Sequence, residues 1–429
     1  MSRVLVRQLK NHLGQSVVVK GWIAKVRDLG GIKFILLRDL SGLVQVVVES
    51  ETACELKTEA AVCVEGAVAE APNVIGGVEI HARSLAVVSQ ADYELLPFEV
   101  NRDTIPAGLD TVLNHRMLSL RNERVRAVFK IQHQIVSAFR EFFSANHFTE
   151  IQTPKLVASG TEGGTELFAV EYFNRKAYLA QSPQLYKQMM VGSGLERVYE
   201  VGHAYRAELH DTVRHMNEYV SLDVEMGFIE DENDLMAIET EFLKSLFSRL
   251  RQQCGEALAL FGAELPVIDA VPRLELEEAR RILLRRYEKQ SPPGNLDPEG
   301  ERLISDHVKK EAGSDFVFIT KYPVAKRPFY AMPDKQKSEL TNSFDLLYRG
   351  LEITTGGQRI HSYQALKENI ARFGLNPESF GYYLDCFKYG MPPHGGFAIG
   401  LERLTMKILG LANIREATLL PRDRARLEP

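Results

Sequence analysis

Long apolar runs are missing from these 429 residues. No stretch approaches the roughly 18 apolar residues that a membrane-spanning helix needs. The first residues, MSRVLVRQLKNH, lack the uninterrupted apolar core of an export signal. A non-exported, cytoplasmic protein is expected. Cysteine is scarce too: Cys54, Cys63, Cys254 and Cys386 stand apart, without the CxxC or His-rich spacing of a zinc site and without the pattern of a disulfide framework. A reducing compartment suits such usage. Positive charge is not in excess either, since the formal net charge is −5. That excludes a uniformly basic nucleic-acid coat, so any RNA partner must be held by local patches. Two common nucleotide signatures are also absent. There is no GxxxxGK followed by Ser or Thr, and no GxGxxG leading from a strand into a helix. Phosphates, if bound, must be held by side chains rather than by a phosphate loop.

What is present points to more than one folding unit, because single cores usually stop growing near ~250–300 residues. Residues 17 to about 90 read as short valine-rich strands, among them SVVVKGWIAKVRDLG, KFILLRDLSGLVQVVVE and GGVEIHARSLAVVS, punctuated by Gly and Asp-Leu-Ser-Gly turns. This spacing suggests a small closed barrel, best matched by a five-stranded OB-type barrel. Residues 91–115 carry prolines and little periodicity and look like a linker. From Asn122 the period becomes helical, with Val125, Phe129, Ile131, Ile135, Phe139 and Phe142 along one apolar stripe. FTEIQTPKL then alternates like a strand, with Pro154 near its end. Another helix is expected after EDENDL to about Gln252, and one more near residues 363–373. Strands mixed with helices, without regular alternation, favour an antiparallel α+β domain over a doubly wound sheet. The expected boundaries are 1–92 for the barrel, 93–120 for the linker and 121–429 for the larger domain.

One stretch stands out for its charge: YRAELHDTVRHMNEYVSLDVE, residues 205–225. It reads as two strands and a loop. Residues two apart share a strand face, so Arg206 and Glu208 point together, as do Ser221, Asp223 and Glu225, while Leu222, Val224 and Met226 point away. A solvated sheet face would look the same one residue at a time. The neighbourhood weighs against that reading. GTEGGTELF, SFDLLYRGLEITTGGQRIH and HGGFAIGLERL each set Gly-rich backbone beside isolated polar residues, as expected where a ligand approaches main chain. Arg206 and Arg403 suit a polyanion, because guanidinium grips phosphate bidentately. Asp345 and Glu352 offer hard oxygens to magnesium, which takes one or two carboxylates plus phosphate oxygens. Nucleotide chemistry is the economical reading. His210 and His361 are read as structural histidines, and Met189 and Met190 as core.

These segments resemble the three motifs of the class II aminoacyl-tRNA synthetases, and more closely the archaeal-type aspartyl enzymes. FTEIQTPKL with its preceding helix looks like motif 1, YRAELHDTVRHMNE like motif 2 and GGFAIGLERL like motif 3; QSPQLYKQ and the terminal NIREATLLPRDRARLEP add to the likeness, which covers nearly the whole chain. The fold implied is α+β: an N-terminal OB-fold barrel that binds the anticodon, plus a class II antiparallel-sheet catalytic domain. The activity implied is ATP-dependent joining of L-aspartate to tRNA(Asp) through an aspartyl-adenylate, with Mg2+ as cofactor and a homodimer built on motif 1.

By the same resemblance, Arg206, Glu208 and Arg403 are the catalytic residues. ATP would be held by Arg206, Glu208, Arg214, His215, Met216, Glu352 and Arg403. Aspartate would be held by Glu162, Ser182, Gln184, Lys187, Asp223, Thr355 and Arg359, and the metal by Glu352, Thr355 and Asp345. On the barrel, Arg27, Phe34, Gln45 and Glu79 match the family's anticodon contacts. Ala24 stands where enzymes restricted to tRNA(Asp) tend to carry Trp, which raises tRNA(Asn) as a second acceptor. The rival readings are an asparaginyl-tRNA synthetase and a non-catalytic tRNA-binding paralogue.

Overall fold

The computed structural model describes residues 2–49, 56–160, 166–209 and 212–428. Glu162, His210 and Cys54 lie outside the described residues. The chain divides into two compact units, Met1–Thr111 and Val112–Pro429.

In the first unit five strands close a barrel in the order β1-β2-β3-β5-β4. They are β1 (Ser16–Asp28), β2 (Ile32–Arg38), β3 (Leu43–Glu49), β4 (Ala61–Glu70) and β5 (Val78–Ser89). Neighbours are antiparallel except β3 with β5. Alternation explains the closure: Val17, Val19, Ile35, Leu37, Val44, Val46, Val62 and Val64 point inward to one apolar core. The turn after β2 is built by Asp39, whose Oδ1 accepts from the backbone of Ser41 at 2.7 Å and of Gly42 at 3.1 Å.

The second unit carries β6 (Thr149–Glu150), β7 (Leu156–Val157), β8 (Ala169–Tyr172), β9 (Arg175–Leu179), β10 (Arg197–Tyr205), β11 (Glu218–Gly227), β12 (Arg273–Glu275), β13 (Phe316–Thr320), β14 (Ser343–Tyr348), β15 (Leu351–Arg359) and β16 (His394–Gly400). Eight of them form one sheet, ordered β12-β13-β14-β15-β16-β11-β10-β6, and β7, β9 and β8 form a small second sheet. Pairing is antiparallel through the interior and parallel only at the edges, β12 with β13 and β10 with β6. The α+β expectation holds, with this mixed edge as a refinement.

Two local expectations change. FTEIQTPKL is not a continuous strand: only Thr149–Glu150 and Leu156–Val157 pair as strands. Pro154 cannot donate to a ladder, and the intervening polar groups turn instead to Glu200, whose carboxylate takes Thr153 N at 3.2 Å, Thr153 Oγ1 at 2.7 Å and Lys155 Nζ at 2.7 Å. In the charged stretch, the first strand ends at Tyr205, so Arg206 and Glu208 lie just beyond it, in the loop.

The long helix spans Glu123–Ala145, with Asn122 Oδ1 capping Val125 N at 3.1 Å. With Glu232–Gln253 and Leu401–Leu409 it covers one face of the sheet in a core rich in aromatic rings, where Phe139 meets Phe242 edge-on at 5.4 Å. Leu222, Val224 and Met226 of β11 enter that core, which leaves Ser221, Asp223 and Glu225 on the opposite face. Among the described residues, no helix is long and apolar enough to cross a membrane.

Candidate active site

That opposite face floors a cavity of about 360 Å³, within the size range of small-ligand sites. One end is sealed by buried charge. Lys187 is carried by the short helix Gln184–Met190, whose Gln184, Leu185, Lys187 and Gln188 are buried. Its Nζ lies 3.0 Å from Asp223 Oδ1, 3.3 Å from Glu225 Oε2 and 3.3 Å from the carbonyl oxygen of Val224. Arg359, the last residue of β15, donates from Nε to Glu225 Oε1 at 3.0 Å, and from Nη2 to Gln184 Oε1 at 3.2 Å and to Gly396 O at 3.0 Å. Its guanidinium lies 5.3 Å from the ring centre of Tyr330. All four charged groups of this cluster are at most 6% exposed.

Burial opposes the ionisation of Glu225. The adjacent Arg359 and Lys187 outweigh it and hold this carboxyl below the ordinary range. A glycine makes room for it: a Cβ at Gly396 would fall on Val224 O and on the Glu225 carboxylate. Behind the cluster, His394 Nδ1 faces Pro392 O at 2.9 Å and Nε2 faces Gln188 Nε2 at 3.1 Å. Donation from Nδ1 to the carbonyl makes Nε2 the acceptor. Burial lowers this imidazole to about 4, so the ring is neutral near pH 7.

The other end is more open and mainly cationic. The loop between β10 and β11 is clamped by Asn217, whose Nδ2 donates to the carbonyls of Arg206 at 2.7 Å and Glu208 at 3.1 Å. The clamp presents Arg206, Glu208, Arg214, His215 and Met216 to the cavity. His215 Nε2 is 3.8 Å from Glu208 Oε2. Arg214 Nη2 donates to Glu301 Oε1 at 3.0 Å, and the other oxygen of Glu301 accepts from Glu352 N at 3.3 Å. Burial raises the Glu301 carboxyl although Arg214 opposes the shift. Arg403, in the first turn of Leu401–Leu409, donates to Glu352 O at 3.0 Å and approaches Glu352 Oε1 at 3.6 Å. Its neighbour Glu402 also borders the cavity, but its carboxylate is engaged by main chain. Both its oxygens accept from Val220 N, at 3.1 and 3.2 Å, just past the last β11–β16 pair, Ser221 with Gly400. The carboxyl thus continues the ladder where β16 turns into helix, and burial raises it to about 8.

Ser182, Gln184, Lys187, Asp223, Thr355 and Arg359 join Arg206, Glu208, Arg214, His215, Met216, Glu352 and Arg403 around this one cavity. Asp345 is not on its wall. It is buried behind Ser343, with Oδ1 2.8 Å from Arg327 Nη2, and burial raises its carboxyl despite that arginine. In the other unit, Arg27 pairs across β1–β2 with Phe34, and Gln45 pairs across β3–β5 with Glu79, bonded Nε2 to Oε2 at 2.8 Å. Phe34 and Gln45 alternate with the core residues Ile35 and Val46, so both lie on the outer barrel surface, not in the core.

Sequence reasoning gave no role to Glu225, Asn217, Glu301, Arg327, Tyr330 or Gly396. Strand alternation already set Glu225 beside Asp223. Asn217 and Gly396 lie in stretches already marked as charged or Gly-rich, whereas Glu301, Arg327 and Tyr330 carry no local signal.

Fold and site together define a two-unit protein in which an antiparallel sheet, rather than a phosphate loop, presents cations to a polar cavity. Residues 108–424 match the family model "tRNA synthetases class II (D, K and N)", and residues 17–88 match "OB-fold nucleic acid binding domain". The chain belongs to the class II tRNA synthetase family. It is 50% identical over 432 residues to the aspartate–tRNA(Asp/Asn) ligase of Thermus thermophilus, covering 100% of both chains. To the ligase of the same name from Deinococcus radiodurans it is 48% identical over 435 residues, covering 100% of this chain and 99% of that one. Among solved structures, the asparaginyl-tRNA synthetase of Pyrococcus horikoshii complexed with asparaginyl-adenylate is similar at a TM-score of 0.92 and 29% identity, with full coverage of both chains.

Proposed function

We propose that this protein joins L-aspartate to tRNA in two ATP-dependent steps, with tRNA(Asp) and tRNA(Asn) both as acceptors. In the first, an α-carboxylate oxygen of aspartate attacks the α-phosphorus of ATP and pyrophosphate leaves. In the second, a terminal ribose hydroxyl of the tRNA takes the aspartyl group and AMP leaves. Little covalent work falls to side chains, so positioning and charge neutralisation carry the rate.

The observation that carries this reading is one cavity with two buried cations, Lys187 and Arg359, at its sealed end and several cations at its open end. Ammonium and guanidinium only donate, and the carboxylates beside them already accept from them. A ligand carboxylate supplies acceptors there. An amide would turn a donor toward donors, a mismatch costly in a buried site. Ser182 and Gln184, with Glu162, would take the ammonium end of aspartate, and Asp223 would hold Lys187 in place. At the open end Arg206 would bridge the α-phosphate and the attacking carboxylate, Glu208 would accept from the adenine amino group, and Arg214, His215 and Arg403 would meet the outer phosphates beside Met216.

Magnesium suits the hard-oxygen set at this end. Glu352 Oε1 and Thr355 Oγ1 lie 3.0 Å apart on the cavity wall, with Asp345 behind adding negative charge, and the ion prefers few carboxylates plus phosphate oxygens. When bound it would neutralise charge on the departing phosphates. On the barrel, Arg27, Phe34, Gln45 and Glu79 would read anticodon bases by stacking and edge contacts. The apolar helix Glu123–Ala145 would build a homodimer, which light scattering checks. Cytoplasm is where such a substrate is met.

Pyrophosphate exchange tests the first step: exchange with aspartate and none with asparagine is expected. Exchange with asparagine instead would favour the asparaginyl reading, to which the likeness to the Pyrococcus structure lends weight. Aspartylation of transcripts bearing each anticodon then tests the acceptor range.

A further inference from the structure

The helix Gln184–Met190 carries two residues of the sealed end, Gln184 and Lys187, yet it is only seven residues long. Helices that short do not hold their own place in water, so neighbours must fix this one. Leu185 fixes its depth, packed in an apolar cluster with Phe329, Tyr330, Ile360 and Tyr383. Apolar contact has no direction, and by itself it leaves the helix free to turn about its axis. Such a turn would carry Lys187 away from Asp223 and Gln184 away from Arg359.

Direction comes from Gln188, which shares the buried stripe with Gln184 and Lys187. Its amide stands between two polar groups from far along the chain. Tyr383, on the helix Gly381–Phe387, donates its hydroxyl to Gln188 Oε1 at 2.7 Å. Gln188 Nε2 faces His394 Nε2 at 3.1 Å, and His394 Nδ1 faces Pro392 O at 2.9 Å. Hydroxyl gives to amide, amide gives to imidazole, and imidazole gives to main chain. Gln188, Tyr383 and His394 are each 0% exposed, so water cannot stand in for a missing partner. The far end of this relay returns to the site: His394 is the cross-strand partner of Arg359, whose Nη2 donates to Gln184 Oε1 at 3.2 Å. The relay therefore locks the helix that carries Lys187 to the strand pair that carries Arg359. None of its three members lines the cavity.

We infer that Tyr383, Gln188 and His394 are positioning residues for amino-acid selection: they set the rotation of the helix Gln184–Met190, and with it the geometry in which Lys187 and Arg359 meet the side-chain carboxylate of aspartate. The inference rests on the aspartate reading and deepens it. ATP is held at the open end, away from the relay, so the relay acts on amino-acid affinity and choice and leaves ATP affinity alone.

The test compares the full chain as wild type, Tyr383→Phe, Gln188→Met, the double variant of these two, and Leu384→Ala. Tyr383→Phe removes one hydroxyl and keeps the ring. Leu384 sits on the same helix and in the same apolar cluster as Tyr383, so Leu384→Ala loosens packing with all three polar groups in place. Pyrophosphate exchange gives KM for aspartate, KM for ATP and the ratio of kcat/KM for aspartate to that for asparagine, and thermal melts give stability. KM for aspartate is expected to rise about five- to tenfold in Tyr383→Phe and Gln188→Met, as suits an orphaned buried polar group. The selectivity ratio falls by a similar factor, while KM for ATP stays within roughly twofold of wild type. The double variant loses no more than Gln188→Met alone, because both substitutions break one connected chain. Leu384→Ala melts lower, with KM for aspartate within about twofold of wild type. An unchanged KM for aspartate in Tyr383→Phe and Gln188→Met overturns the proposal. So does a parallel rise in KM for ATP, a fully additive loss in the double variant, or a KM for aspartate in Leu384→Ala that rises as far as in Tyr383→Phe. Wild type that exchanges with asparagine and not with aspartate would instead sink the aspartate reading, and the relay is then judged on KM for asparagine.

Discussion

The two ends of the cavity use charge in opposite ways. At the sealed end Lys187, Asp223, Glu225 and Arg359 neutralise one another out of water. At the open end Arg206, Glu208, His215 and Arg403 remain partly exposed, and the charge pairs there are longer, 3.8 Å between His215 and Glu208 and 3.6 Å between Arg403 and Glu352. A buried network is rigid and intolerant of a wrong partner, because any unpaired charge there costs its full desolvation. A partly exposed set with longer charge pairs can release a large polyanion at the end of each turnover. Selectivity is therefore concentrated at one end and exchange of ligands at the other.

That contrast is broken most sharply by Arg359→Ala, which leaves buried Glu225 with Lys187 as its one remaining salt-bridge partner among the described residues. Removing one partner of a buried pair typically costs about 3–5 kcal/mol. A matching fall in thermal stability and in kcat/KM for aspartate-dependent exchange is expected, and a loss of less than about tenfold would contradict the sealed-end model. Gly396→Ala tests the same end through shape. The new methyl meets the Glu225 carboxylate, and overpacking of this kind costs about 1–3 kcal/mol. KM for aspartate should rise while KM for ATP holds.

A third test lies beneath the sheet. Glu239 is fully buried on Glu232–Gln253, and among the described residues its carboxyl oxygens have no hydrogen-bond partner of ordinary length. Burial raises it from 4.5 to about 8, opposed by Thr354. The folded state therefore keeps a proton that the unfolded chain releases near pH 4.5. The contribution of this group to stability declines as pH rises from about 4.5 to 8 and is smallest above that. Glu239→Gln should flatten the decline, gaining about 1–3 kcal/mol over wild type at pH 9 and little at pH 5. Glu402, also raised to about 8, leaves a residual slope. Thermal melts across pH decide this; parallel curves for the two proteins would refute it. The smallest effect belongs to the open end. His215→Ala should raise KM for ATP by about tenfold, or about 1.4 kcal/mol, with melting temperature and KM for aspartate nearly unchanged.

The barrel was legible because a period of two with valine at every other position admits few other folds, and the helix Glu123–Ala145 because its apolar stripe recurs at 3.6 residues. Strand ends were less legible. Tyr205 closes β10 because the clamp from Asn217, twelve residues later, takes the next carbonyls, and no local pattern announces that. Most of the cavity's charged residues could be nominated one by one from their Gly-rich or alternating surroundings. Their partners could not, since Glu301, Arg327 and Tyr330 are ordinary residues within their own segments.

Local periodicity and residue chemistry, which act over a few positions, were enough to specify a barrel, an antiparallel sheet domain and a site rich in arginine and carboxylate. Which carboxylate meets which cation was decided only when β11, β15, β16 and the helix Gln184–Met190 packed together. The strength of a charge pair depends on distance and on exclusion of water, and both exist only in the assembled fold.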